Sequence, residues 1–274
     1  EVVRISKLMF PAILGLAVYE LNMLVDTLLA SLLPEGSISY LYYGNRLVQL
    51  PLGVFGVAIG VAILPMLSNQ VANKDFSEMI KTISFGIRLI LFITIPATLG
   101  LILLRFPIVN TLWERGEFVR LTTEGTSIAL LYYSVGLCAF CGIKVIVPAF
   151  YSLQDTKTPA KVGVYSMILN IILNLILMGP LKHGGLALAT SISALLNAAF
   201  LYYYLRKQSI FRLNNEFFKM LFKVIFASII MALYVYFTST NIDSYLQSAA
   251  LERIIMISKT IVISVLIYFS VKQP

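Results

Sequence analysis

Residues 37–67, SISYLYYGNRLVQLPLGVFGVAIGVAILPML, decide the fold class. Between Glu35 and Lys74 the only charged side chain is Arg46, and the rest of the run is long and apolar enough to cross a bilayer as a helix. A guanidinium is always charged, and holding it in hydrocarbon costs roughly 2.5–3.5 kcal/mol on insertion scales. Such a residue faces a wet cavity, a partner charge or an anion, unless it lies near enough to a helix end to snorkel. Arg46 lies roughly nine residues inside the run, about 14 Å at the helical rise, which is deep for snorkelling. The sequence therefore reads as a membrane protein whose second helix carries an anion-binding arginine.

Outward from this stretch the composition agrees. The 274 residues are 59% hydrophobic and 12% charged, with a mean hydropathy of +0.88, and the apolar residues fall in long blocks between short polar breaks. That pattern is a polytopic helical bundle, an all-α membrane protein. Blocks such as VFGVAIGVAIL and LILFITIPATLGLILL lack the alternation of barrel strands. The net charge of +8 is carried mostly at block ends, so it marks membrane orientation and points to no nucleic-acid partner.

Apolar blocks at 8–33, 37–67, 83–104, 126–150, 159–177, 186–205, 220–237 and 254–271 predict about eight crossings. Alternate breaks carry Arg4 and Lys7, Lys74 and Lys81, Lys157 and Lys161, the cluster from Arg206 to Lys223, and Lys272, which makes that side cytoplasmic. Pro11, Pro51, Pro96 and Pro148 remove helical hydrogen bonds and permit kinks, while Gly53, Gly56 and Gly60 give the second helix a small face for close packing. FPIVNTLWERGEF, residues 106–118, reads as a short interfacial segment on the outer side. Glu1 opens the chain with an apolar helix close behind it, so a piece of a longer protein is expected.

Polar stripes run through three of the predicted helices: Tyr19, Asn22 and Asp26 on the first; Ser166, Asn170 and Asn174 on the fifth; Thr190, Ser193 and Asn197 on the sixth. Each set occupies one helical face. Hydrogen bonding between helices is one reading. The other is a hard-oxygen site for Na+ or H+, in which Asp26 joins Asn170, Asn174 and Thr190. Glu20 has two candidate partners, Arg46 or a helix outside this chain. For Lys144, snorkelling and a substrate contact both stand, while Arg88 reads as a snorkelling anchor. Cys138 and Cys141 form a CxxC inside an apolar helix and read as small buried hydrophobes. His183 is the only histidine and no phosphate-binding loop is present, so neither a two-histidine metal centre nor an ATPase is encoded, and no catalytic constellation marks an enzyme.

Three segments, RLVQLPLGVFGVAIGVAILP, FYSLQDTKTP and GPLKHGGLALATSISALLNA, resemble in order and spacing the MurJ (MviN) lipid II flippases of the MOP exporter superfamily. The resemblance implies two six-helix lobes and a C-terminal helix pair, with this chain as the second lobe (1–208) plus the pair (209–274). It implies that Arg46, alongside arginines of a first lobe absent here, helps hold the diphosphate of the lipid-linked peptidoglycan precursor, an undecaprenyl diphosphate. It also implies a sodium site at Asp26, Asn170, Asn174 and Thr190 with the main-chain oxygen of Leu186. Asn174 stands where members often have Asp, and Asn45 where an acid commonly precedes the arginine.

The function so implied is flipping of lipid II across the bacterial inner membrane by alternating access, by a multi-pass transporter whose partners are that precursor and membrane lipids. The alternatives are export of another lipid-linked oligosaccharide, a membrane glycosyltransferase, for which most outer loops are too short, and a non-transporting scaffold.

Overall fold

The computed structural model describes residues 17–18, 20–207, 215–245 and 250–271. Pro11, Tyr19, Arg4, Lys7, Arg212, Lys272 and the expected boundary after residue 208 lie outside them. Among the described residues all regular structure is helical, which bears out the fold class. The order is α1 (20–31), α2 (Ser37–Pro51), a π-helical segment (Leu52–Val57), α3 (Ala58–Ala72), α4 (Phe76–Leu103), α5 (Arg105–Trp113), α6 (Arg120–Val135), α7 (Leu137–Ser152), α8 (Lys157–Leu181), α9 (His183–Lys207), α10 (Asn215–Tyr245) and α11 (Ala250–Val271).

Among the described residues six helical stretches are long and apolar enough to cross a membrane: Ser37–Ala72, Phe76–Leu103, Lys157–Leu181, His183–Lys207, Asn215–Thr238 and Glu252–Ser270. The fourth expected crossing is corrected in form. Instead of one helix, α6 and α7 meet at a 44° bend around Gly136, and the pair counts as one further crossing if taken together. A bend strips carbonyls of their helical donors, and in lipid these need replacement. Ser191 of α9 supplies one, its Oγ donating to Tyr132 O at 2.6 Å. Of the first expected crossing, 8–33, the structure describes 17–18 and 20–33, with α1 over 20–31.

Residues 37–67 lie in one continuous rod from Ser37 to Ala72 with a wide turn at its middle. Pro51 has no N–H to give the preceding turn, and the ladder widens directly after it into the π-helical segment. The three glycines there do not share one role. Gly56 packs on Cys141, and a methyl at Gly60 would sit 2.3 Å from the Lys144 carbonyl oxygen, whereas Gly53 faces open space. Backbone contact with α7 thus explains two of them.

The main core gathers Leu67, Met79, Ile83, Ile90, Leu130, Leu137, Val145 and Phe150, all fully buried. Asp155 starts α8 by accepting from the Thr158 N–H at 3.0 Å and its hydroxyl at 2.6 Å. The α8–α9 hairpin turns through Lys182 at φ 50°, and Gly185 lies so close to α8 that a methyl there would meet Leu177 O at 2.3 Å.

The interfacial segment is helix α5 followed by a turn, and Trp113 tucks its ring 5.0 Å from Tyr43 of α2. The last two helices dock on α4 and α5. Tyr268 Oη donates to Phe92 O at 2.8 Å, and Arg253 Nη1 donates to the buried Asn110 Oδ1 at 2.7 Å. Arg88, expected as a snorkelling anchor, has its Nη2 3.8 Å from Glu216 Oε2 and so also links α4 to α10.

Candidate functional site

Two polar sites interrupt the apolar helices. The first is built on α2. Arg46 is exposed, and its Nη2 donates to Tyr42 Oη at 2.9 Å while its Cζ lies 5.0 Å from the Tyr42 ring centroid. Tyr42 and Arg46 are one helical turn apart, which puts both side chains on one face. Among the described residues no carboxylate lies within ion-pair distance of Arg46. Glu20 is exposed and lies beyond ion-pair distance of Arg46. Lys144 is also exposed, on α7 where its carbonyl meets Gly60, and no hydrogen bond or ion pair joins it to Arg46.

The second site lies where α1, α8 and α9 meet, and it brings the three polar stripes together. Asn174 Nδ2 donates to Asp26 Oδ1 at 2.6 Å and to Asn170 Oδ1 at 2.9 Å. Thr190 Oγ1 is 3.4 Å from Asp26 Oδ2 and donates to Leu186 O at 2.9 Å. Asn22 Nδ2 lies 3.4 Å from Asp26 Oδ2, and Asn170 Nδ2 lies 3.5 Å from Ser193 Oγ. Asn170 and Asn174 are fully buried. Their stripe forms because buried positions on α8 recur every fourth residue, from Val162 through Ser166 and Asn170 to Asn174.

This cluster cannot satisfy itself by amide geometry alone. Asn174 Oδ1 is buried with no hydrogen-bond partner. Turning the Asn170 amide would bring its Nδ2 to 3.0 Å from Asp26 Oδ1 and 3.1 Å from Asn22 Oδ1, but the same Nδ2 would then face Asn174 Nδ2 at 2.9 Å. Turning Asn174 as well removes that clash and sets its oxygen against Asp26 Oδ1. Every arrangement leaves like facing like, which a proton on Asp26 or a small cation among the oxygens relieves. One carboxylate among neutral oxygens suits a single positive charge.

Sequence reasoning named Asp26, Asn170, Asn174, Thr190, Leu186 and Arg46, and the structure places the first five together and Arg46 apart. It missed Tyr42, whose signal was its place one turn before Arg46. Asn22 and Ser193 were seen on the stripes but not counted in the site.

The family described as Lipid II flippase MurJ matches residues 1–256. A probable lipid II flippase MurJ of Vibrio cholerae is 46% identical over 215 residues, covering 78% of this chain and 41% of that protein. The corresponding protein of Haemophilus influenzae is 35% identical over 273 residues, covering 97% of this chain and 53% of its own length. The solved structure of lipid II flippase MurJ in an inward closed conformation superposes with a TM-score of 0.80 at 30% identity, over 97% of this chain and 52% of that one. The chain thus spans about half the length of the curated relatives it matches.

Proposed function

Since the chain belongs to the lipid II flippase MurJ family, we propose that it forms the second lobe and C-terminal helix pair of a transporter that moves a lipid-linked peptidoglycan precursor across the bacterial inner membrane. The observation that carries this reading is Arg46: an exposed guanidinium on a membrane-crossing helix with a neutral partner and, among the described residues, no carboxylate at ion-pair distance. A planar donor fork matches phosphate oxygens, and the precursor's diphosphate supplies the charge that the helix lacks. The headgroup crosses past Arg46 while the polyprenyl tail stays in lipid, and this lobe rocks against a first lobe not contained in the chain. Lys144, exposed on α7, is a second basic contact for the same headgroup. The basic breaks after α3, α7 and α9 face the cytoplasm.

Asp26, Asn170, Asn174, Thr190 and the Leu186 carbonyl hold the coupling ion, Na+ or H+. The orphaned Asn174 oxygen and the amide conflict around Asp26 support that fit. A cation there supplies a charge that ties α1 to α8 and α9.

The test is the full-length protein in cells depleted of their own flippase. Arg46→Ala, expressed and folded at normal levels, is expected to abolish complementation and translocation of a labelled lipid-linked precursor, and Arg46→Lys to impair both. Normal complementation by Arg46→Ala would overturn the proposal.

A further inference from the structure

We infer that Tyr42 is a positioning residue of this anion site, holding the Arg46 guanidinium in place without cancelling its charge; the inference rests on the reading of Arg46 given above. Arg46 Nη2 donates to Tyr42 Oη at 2.9 Å and the guanidinium carbon lies 5.0 Å from the ring centroid, so the side chain is held by a hydrogen bond and by the ring's π-system together. Both residues are exposed on the same face of α2, where an arginine on its own would be free to sample many rotamers.

The choice of partner matters chemically. A carboxylate at Tyr42 would hold the guanidinium more strongly, but an arriving phosphate would then have to displace it. A phenol accepts one N–H and leaves the other four of the guanidinium, and the full positive charge, for the anion. The order imposed in advance lowers the entropy lost when the anion binds.

Tyr42 is itself braced. Its ring meets Tyr43 edge-on at 5.4 Å, and Tyr43 packs against Trp113 of α5 at 5.0 Å and Phe118 of the following turn at 5.2 Å. On the opposite side of this turn, Gly44 lets α2 lie against α6 so closely that a methyl there would be 3.0 Å from Ala129 Cβ and 3.1 Å from Leu130 N. An aromatic wedge from the outer segment and a backbone contact with α6 therefore fix the turn that carries the pair.

Full-length protein in detergent, with farnesyl diphosphate as the probe, tests this by calorimetric titration. Tyr42→Phe keeps the ring and its braces and deletes only the hydroxyl, so the dissociation constant should rise roughly three- to tenfold with no change in thermal midpoint. Arg46→Lys should weaken binding as well, and adding Tyr42→Phe to it should cost less than about twofold, because lysine has no fork for the phenol to orient. Unchanged binding by Tyr42→Phe while Arg46→Ala loses the probe would overturn the role of Tyr42 and leave Arg46 standing. Losses that multiply in the double variant would overturn it too. Unchanged binding by Arg46→Ala would instead remove the anion site on which this inference rests.

Discussion

Arg46 and Asp26 are both ionisable groups on apolar helices, yet their surroundings are opposite. Arg46 is exposed and, among the described residues, its hydrogen bond and its π contact both go to one phenol on its own helix. Asp26 is half-buried where three helices meet and is surrounded by Asn22, Asn174 and Thr190. The difference teaches what each is built for. A charge left open on one face is complete only when something large arrives from outside the lobe. A charge enclosed by neutral oxygens and amides admits a proton or a bare ion and nothing bigger. On the proposed reading, the Arg46 face would border the space between lobes and the Asp26 cluster would lie inside one.

The comparison breaks most decisively if the open face needs no second body. An unpaired guanidinium facing lipid costs several kcal/mol, and rocking requires two rigid halves. Vesicles carrying these 274 residues alone should show no translocation of a labelled lipid-linked precursor, and co-reconstitution with a separately expressed first lobe should restore it. Robust flipping by the single chain would end the half-transporter reading.

A smaller effect separates the two charges by ligand. Sodium should raise the thermal midpoint of the full protein, with a linkage worth about 2.7 kcal/mol at a hundredfold excess over the dissociation constant. Asp26→Asn should lose that protection and still bind farnesyl diphosphate, whereas Arg46→Ala should keep the protection and lose the probe. If sodium protects wild type and Asp26→Asn equally, it does not bind at this cluster, and proton coupling through Asp26 remains.

The packed and open sides of the Arg46 rod can also be set against each other. A methyl at Gly60 meets the Lys144 backbone oxygen at 2.3 Å, and backbone cannot swing aside, so Gly60→Ala should destabilise by about 1–3 kcal/mol. Gly53 has nothing within 4 Å, and Gly53→Ala should be neutral or stabilising by up to about 1 kcal/mol through helix propensity. Unfolding midpoints in one detergent decide it; equal losses would mean that the α3–α7 contact is not as close as described.

How much of this was legible beforehand follows from which interactions are periodic. Helix class and most of the crossings could be read from apolar blocks, because hydropathy acts on each block separately. The three stripes were readable as faces for the same reason. What the sequence lacked was contact between distant segments. Nothing in LYYSVGLCAF announces a 44° bend at Gly136, since the bend is tolerated by a serine more than fifty residues away that satisfies Tyr132 O. Arg88 read as an anchor, and its sequence neighbourhood did not show that α10 brings Glu216 beside it. Tyr42 went unread although it lay on the Arg46 face, because tyrosine in an apolar helix looks like packing until its hydroxyl has a partner.

Effects inside the Asp26 cluster show how its bonds rank, down to the smallest expected anywhere in the protein. Asn174 approaches Asp26 at 2.6 Å from a fully buried position, so Asn174→Ala strips the carboxylate of its short donor and should cost about 1–3 kcal/mol of stability. Asn22 sits 3.4 Å away at the margin of hydrogen-bond geometry, and Asn22→Ala should cost about 0.5 kcal/mol or less. Sodium sharpens this last case. The Asn22 Oδ1 lies 3.1 Å from the amide atom that Asn170 turns inward. If that oxygen joins the ion's shell, Asn22→Ala should leave stability without sodium nearly unchanged and still reduce the sodium-induced shift, a combination that no purely structural role for Asn22 produces. Equal shifts in wild type and Asn22→Ala would place Asn22 outside the shell and restrict the site to the ligands on Asp26, α8 and α9.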